Sequence, residues 1–132
     1  MRLYLLIALG GALGSVLRFF INGLITPHVG DTDAWVATLV INLTGSFLIG
    51  LIFGLTEPGT GRIFASSEIR LFLMTGVCGG YTTFSSFSLQ TLNLVRDGYV
   101  ARAAANVSSS VLFCLVGVWL GHALATLINQ SH

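Results

Sequence analysis

Hydrophobic positions run through this chain in four long blocks that charge hardly interrupts. Residues 34–56 carry no charge over 23 positions, residues 71–95 none over 25, and residues 103–132 none over 30. Residues 3–30 are broken only by Arg18. A helix needs about 20 mostly apolar residues to cross a bilayer, so each block is long enough to span it once. Charged and turn-forming residues gather between the blocks, at Pro27 to Asp33, Glu57 to Arg70 and Arg96 to about Tyr99. The pattern predicts an all-α membrane protein, a single integral membrane domain over residues 1–132. Its four transmembrane helices fall at approximately 3–26, 34–56, 70–95 and 100–127. Arg2 ahead of an apolar run has the form of a secretory signal, but the run continues past Arg18 to Ile25 and three further blocks follow. The first segment is therefore expected to stay as a helix.

Composition sharpens this picture. Of 132 residues 54% are hydrophobic and 8% charged, where a soluble domain carries about 25% charged residues. There is no lysine, and a net charge of +1 leaves no basic patch to neutralise phosphates, which excludes nucleic acid as a partner. Cys78 and Cys114 both sit in apolar context and read as free thiols rather than a disulfide framework.

Each block also holds a pair of glycines four residues apart: Gly10 and Gly14, Gly50 and Gly54, Gly76 and Gly80, Gly117 and Gly121. Small residues at this spacing let helix backbones approach closely in lipid. Four short helices form a small bundle for enclosing a pathway, which favours an oligomer. With four spans, Arg2, Arg62 and Arg70 fall on one side of the membrane. Arg96 and Arg102, with Arg18 if it reaches that interface, fall on the other. Basic residues set orientation, and this near balance suits insertion in both directions, as an antiparallel dimer from one gene would need. A partner that fixes a single orientation is the competing explanation.

Polar groups in the spans need partners. No Asp, Glu or Lys lies mid-membrane, so proton coupling has no evident carboxylate. Thr38, Asn42 and Ser46 share one helical face in the second block, and Asn106, Ser110 and Cys114 share one in the fourth. Such stripes either join helices by hydrogen bonds or line a narrow polar path. In the third block, Gly79 and Gly80 followed by Thr82 and Thr83 make a weak point for a helix. A break there would expose backbone carbonyls, which suit a hard cation such as Na⁺. Beyond it, Ser85, Ser86 and Ser88 interleave with Phe84 and Phe87. Phenyl ring edges carry partial positive charge, so these rings either pack as ordinary apolar groups or stabilise a small anion beside the hydroxyls and the Asn42 amide.

The run Gly79-Gly80-Tyr81-Thr82-Thr83-Phe84-Ser85-Ser86-Phe87-Ser88 closely resembles the hallmark of the Fluc fluoride channels, also called the CrcB family. Gly10-Gly11-Ala12-Leu13-Gly14 with Arg18, and Thr38-Leu39-Val40-Ile41-Asn42-Leu43-Thr44-Gly45, are similar to the family's first and second helices. The resemblance implies an antiparallel, dual-topology homodimer whose third helix is broken mid-membrane, with two fluoride pores at the subunit interface. It implies that Phe84 and Phe87 are the pore phenylalanines, Asn42 the pore asparagine, and Ser85, Ser86 and Ser88 the hydroxyl track. By the same resemblance Ser110 would continue that track on the fourth helix, and Arg18 would attract anions near a vestibule. Gly79 and Thr82 would hold a structural Na⁺ through backbone carbonyls from both subunits. The implied activity is passive export of fluoride across a bacterial inner (plasma) membrane, not enzymatic. Tyr81 stands where a smaller aliphatic residue is common in the family, and Asn106 and Cys114 where a tyrosine and a hydroxyl residue occur.

Two other readings compete. A small multidrug transporter needs a carboxylate in its first helix, and residues 3–30 contain no Glu. A structural membrane subunit would use the polar stripes only to join helices. An enzyme finds no support, since His28, His122 and His132 are scattered and lack a nearby acid.

Overall fold

The structure is a computed structural model that describes residues 1–131, all of it helix and connecting turn. Helix α1 spans Arg2–Val29 and α2 spans Trp35–Leu55, joined by a 3₁₀ turn at Asp31–Asp33. A short helix α3, Ser67–Leu71, runs without a gap into a wide π-helical stretch, Phe72–Cys78, and then into α4, Gly79–Tyr81. Helix α5 spans Phe84–Arg96 and α6 spans Val100–Gln130. Three helices, α1, α2 and α6, are long and apolar enough to cross a membrane. The third hydrophobic block is not one helix but two, meeting at Thr82 and Thr83.

Helix α1 runs past Pro27 to Val29, about three residues beyond its expected end. A proline in the last turn forfeits one N–H without stopping the carbonyls around it from bonding. The stop comes at Gly30, whose φ of 79° is open to glycine. Ser66 starts α3 by accepting the Ile69 N–H at 3.3 Å, a side-chain cap that extends helix upstream of the expected residue 70.

The glycine pairs are where the helices meet. Gly10 and Gly14 of α1 face Gly76 and Gly80: a Cβ on Gly10 would stand 2.9 Å from the Gly76 Cα, and one on Gly80 2.5 Å from the Gly11 oxygen. Gly50 and Gly54 of α2 face α6 in the same way, with a Gly54 Cβ 2.6 Å from that of Ala125 and a Gly121 Cβ 2.9 Å from the Leu51 nitrogen. Backbone lies against backbone at both seams, as membrane helices require when lipid supplies no hydrophobic drive for association.

The ends of the bundle are tied by charge. At one end Arg2 pairs with Glu68 at 3.3 Å, and Arg70 caps α2 through the carbonyl and hydroxyl of Thr56 while lying over the Phe53 ring. Asn129 adds to that cap, donating to the Gly54 carbonyl at 3.1 Å and accepting the Arg62 N–H at 3.1 Å. At the other end Arg102 pairs with Asp33 at 3.5 Å. Between the ends the outer surface is apolar: Leu9, Leu13, Val16 and Phe20 on α1, and Leu112, Leu115 and Trp119 on α6, are exposed.

Candidate functional site

The two halves of the third block are held apart by local chemistry. Thr82 and Thr83 adopt extended backbone, with φ/ψ of −78°/160° and −152°/115°. The Thr82 hydroxyl folds back onto the Cys78 carbonyl at 3.0 Å and closes the upstream helix. The Thr83 hydroxyl accepts the Ser86 N–H at 3.2 Å and opens α5. One threonine therefore serves each side of the interruption, because a short β-branched hydroxyl residue competes well for backbone groups at helix ends. Asn42 of α2 spans the gap: the Thr83 N–H donates to its Oδ1 at 2.7 Å and its Nδ2 donates to the Thr83 carbonyl at 3.0 Å.

A cavity of 410 Å³ opens at this point between α2, the interruption and α6. Asn42, Gly79, Thr82, Phe84, Phe87 and Ser110 line it, six of the ten residues that sequence patterning and family resemblance single out. Among the described residues that line it, none is charged. The Phe84 and Phe87 rings lie 5.2 Å apart at 49°, the tilted arrangement that aromatic pairs favour. Phe84 is 79% exposed in the single chain.

The other four residues stand outside the lining. Ser85 and Ser86 gather around the Thr83 hydroxyl at 3.2 and 3.1 Å, so their hydroxyls brace the start of α5. Ser88 donates to the Phe84 carbonyl at 2.9 Å on an exposed face. Arg18 lies in the body of α1, level with the interruption, where its Nη1 is 3.5 Å from the Thr82 carbonyl.

The lining also includes Ser46, Thr83, Cys78 and Cys114. Ser46 and Cys114 follow Asn42 and Ser110 at four-residue spacing, so the two polar stripes carry the signal for both. Thr38 and Asn106, the upper members of those stripes, are 4% and 1% exposed and lie off the cavity. Asn106 donates to the Thr91 hydroxyl at 2.9 Å, and its carbonyl accepts from Ser110 at 3.2 Å. Nothing in the sequence separates the members that join helices from those that face the cavity.

An uncharged cavity between apolar helices, lined by amide, hydroxyl and aromatic groups at a helix interruption, is the architecture of a membrane protein that handles a small solute. The comparisons give the family. The family described as "CrcB-like protein, Camphor Resistance (CrcB)" matches residues 5–122. A Rhodospirillum rubrum protein named "Fluoride-specific ion channel FluC" is 58% identical over 128 residues, covering 97% of this chain and 98% of its own length. Proteins of the same name from Opitutus terrae and Methylocella silvestris are 58% and 51% identical, covering 98% and 96% of this chain and 97% and 95% of their own. The chain belongs to the CrcB family.

Proposed function

We propose that this protein is a fluoride-selective passive channel of the bacterial plasma membrane that exports cytoplasmic fluoride. The observation that carries the reading is the uncharged cavity lined by Phe84, Phe87, Asn42 and Ser110, in a chain whose relatives bear the name fluoride-specific ion channel. Fluoride is small and strongly hydrated, so its path must offer donors in place of water. Asn42 spends one amide hydrogen on Thr83 and keeps the other. The edges of Phe84 and Phe87 carry partial positive charge without holding the anion tightly. Helix α5 points its N-terminus at the same region, and a helix N-terminus favours negative charge. Weak, repeated contacts allow an ion to leave as easily as it enters. Arg18, beside the Thr82 carbonyl, adds fixed positive charge near the path.

The working unit in this reading is an antiparallel, dual-topology homodimer. Residues Ser67 to Arg96 make the fourth crossing, as a helix broken at Thr82 and Thr83. The exposed Phe84 ring and the apolar outer faces call for cover, and a second copy supplies it at the pore while lipid covers the rest. With Arg18 level with the interruption, three arginines at one end and two at the other give only a weak preference for one orientation. A structural Na⁺ at the dimer centre fits the residues present. Gly79 and Thr82 both line the cavity, and backbone carbonyls are neutral, hard oxygen donors of the kind a monovalent cation takes. Bound there, the ion would draw the carbonyls of two subunits together.

No energy source is required. Hydrogen fluoride enters cells as a neutral weak acid and dissociates in the near-neutral cytoplasm. An inside-negative potential then drives the trapped anion out, with about 2.3 kcal/mol per charge per 100 mV. The test is efflux from liposomes holding the purified protein, loaded with fluoride or, in parallel, with chloride. Fast fluoride efflux without a proton gradient, and none of chloride, is the expected result; equal rates for the two anions, or no efflux from dimeric protein, would overturn the reading.

A further inference from the structure

The paired hydrogen bonds between Asn42 and Thr83 have an effect four residues upstream. In an unbroken α-helix the Thr83 N–H would donate to the Gly79 carbonyl. The preceding amide still makes its helical bond, Thr82 N–H to the Cys78 carbonyl at 3.0 Å, so the ladder fails at the Thr83 amide. That amide is taken by Asn42 Oδ1 at 2.7 Å, and the Thr83 carbonyl receives Asn42 Nδ2 at 3.0 Å. A side-chain amide has the same donor and acceptor as a peptide group, so it satisfies both Thr83 backbone groups. Gly79, whose carbonyl thereby loses its helical donor, is among the residues that line the cavity.

We infer that Asn42 is a positioning residue for the cation site: by accepting the Thr83 N–H it prevents the helix from closing on the Gly79 carbonyl and keeps that oxygen open to a hard cation. This rests on the reading of Gly79 and Thr82 as a sodium site. The neighbouring Gly80 carbonyl, by contrast, has a side-chain partner of its own, the Ser15 hydroxyl at 3.4 Å. Asn42 is thus coupled to both ions of the channel, touching the anion path with its free N–H and governing the cation oxygen through Thr83. Replacing Asn42 by alanine would leave both Thr83 groups, in a residue only 8% exposed, without their partner, and the nearest remedy for the N–H is to rejoin Gly79.

The experiment measures the rise in melting temperature that Na⁺ produces over N-methylglucamine at equal ionic strength, on purified dimer in detergent, alongside fluoride efflux. Asn42→Ala is expected to abolish the Na⁺-dependent rise and the efflux together. Asn42→Asp keeps an acceptor for the Thr83 N–H and is expected to keep the rise while losing efflux, because its carboxylate opposes the anion. Phe84→Ile, which leaves the brace intact, should keep the rise. A folded Asn42→Ala dimer with the full wild-type rise would overturn the inference, as would a folded Asn42→Asp dimer that has lost it. Should Asn42→Ala fail to fold, Asn42→Ser, whose hydroxyl is one bond too short to take the Thr83 N–H, replaces it: it is expected to lose the rise, and a folded Asn42→Ser dimer with the full rise would overturn the inference. Absence of any rise in the wild-type protein would overturn the sodium reading itself, and the inference with it.

Discussion

The phenol oxygen of Tyr81 lies 2.9 Å from the hydroxyl of Thr44, while the Tyr81 ring passes so close over Gly45 that a Cβ there would stand 3.1 Å from its Cδ1. The Thr44 hydroxyl spends its single hydrogen on the carbonyls of its own helix, Val40 at 2.8 Å or Ile41 at 3.1 Å, so Tyr81 is the donor. The large Tyr81 ring is thus housed by a glycine and a threonine on α2, next to the helix interruption.

Tyr81→Phe removes one hydrogen bond and keeps the packing, and its expected cost is about 1 kcal/mol. Tyr81→Ala also empties the space over Gly45 and is expected to cost about 3–5 kcal/mol. Reversible unfolding in detergent micelles checks both; equal losses in the two variants would show that the ring's packing contributes nothing.

Neighbouring glycines on α1 should respond in opposite ways. A Cβ on Gly14 would meet the Tyr81 backbone nitrogen at 2.7 Å, and neither backbone can yield without separating the helices. Gly14→Ala is therefore expected to destabilise by about 1–3 kcal/mol. Gly11 has nothing within 4 Å of its Cβ position, so Gly11→Ala should be neutral or stabilising, given the better helix propensity of alanine. Melting temperatures of the two variants provide the check, and the order Gly11→Ala below Gly14→Ala would refute the seam.

Asn106, 1% exposed, joins Thr91 of α5 to Ser110 within α6. Asn106→Leu keeps the branched shape but removes the acceptor of Ser110 and the donor to Thr91, whose hydroxyl keeps its bond to the Phe87 carbonyl at 2.8 Å, with an expected loss of about 1–3 kcal/mol. Denaturation of the purified variant measures it. A variant as stable as wild type would mean that the stripe on α6 does not join these helices.

Much of this was legible in the sequence, and the limits have physical causes. Charge-free blocks gave the long helices, and four-residue glycine pairs gave both close seams. Adjacent glycines and threonines located the interruption at Thr82 and Thr83. The stripes Thr38/Asn42/Ser46 and Asn106/Ser110/Cys114 were visible as stripes, yet only their lower members reach the cavity. Helical spacing fixes which residues share a face, while the neighbours that a face meets change along its length. Ser85, Ser86 and Ser88 read as a hydroxyl track, but short hydroxyl side chains at a helix start turn to local backbone and to one another. Arg18 was expected near a vestibule, and only tertiary contact with the Thr82 carbonyl located its guanidinium level with the interruption.

Three arginines at one end against two at the other lead to a prediction about orientation. Thr60→Lys with Ser67→Lys adds positive charge at the end holding Arg2, Arg62 and Arg70; Thr32→Lys with Asp97→Lys does so at the end holding Arg96 and Arg102. Each pair should force one orientation and abolish efflux alone, and co-expression of the two should restore it. Full efflux from either pair expressed alone would exclude the antiparallel dimer.

In the proposed channel fluoride passes the Phe84 and Phe87 rings, which fluoride efflux from liposomes holding Phe84→Ile or Phe87→Ile, each verified as a dimer, puts to the test. An isoleucine fills similar space but presents no electropositive ring edge. Each variant is predicted to lose at least about tenfold in rate, equivalent to about 1.4 kcal/mol at the barrier. Wild-type efflux from either dimer would contradict the account, leaving the two rings as packing beside a path that runs elsewhere.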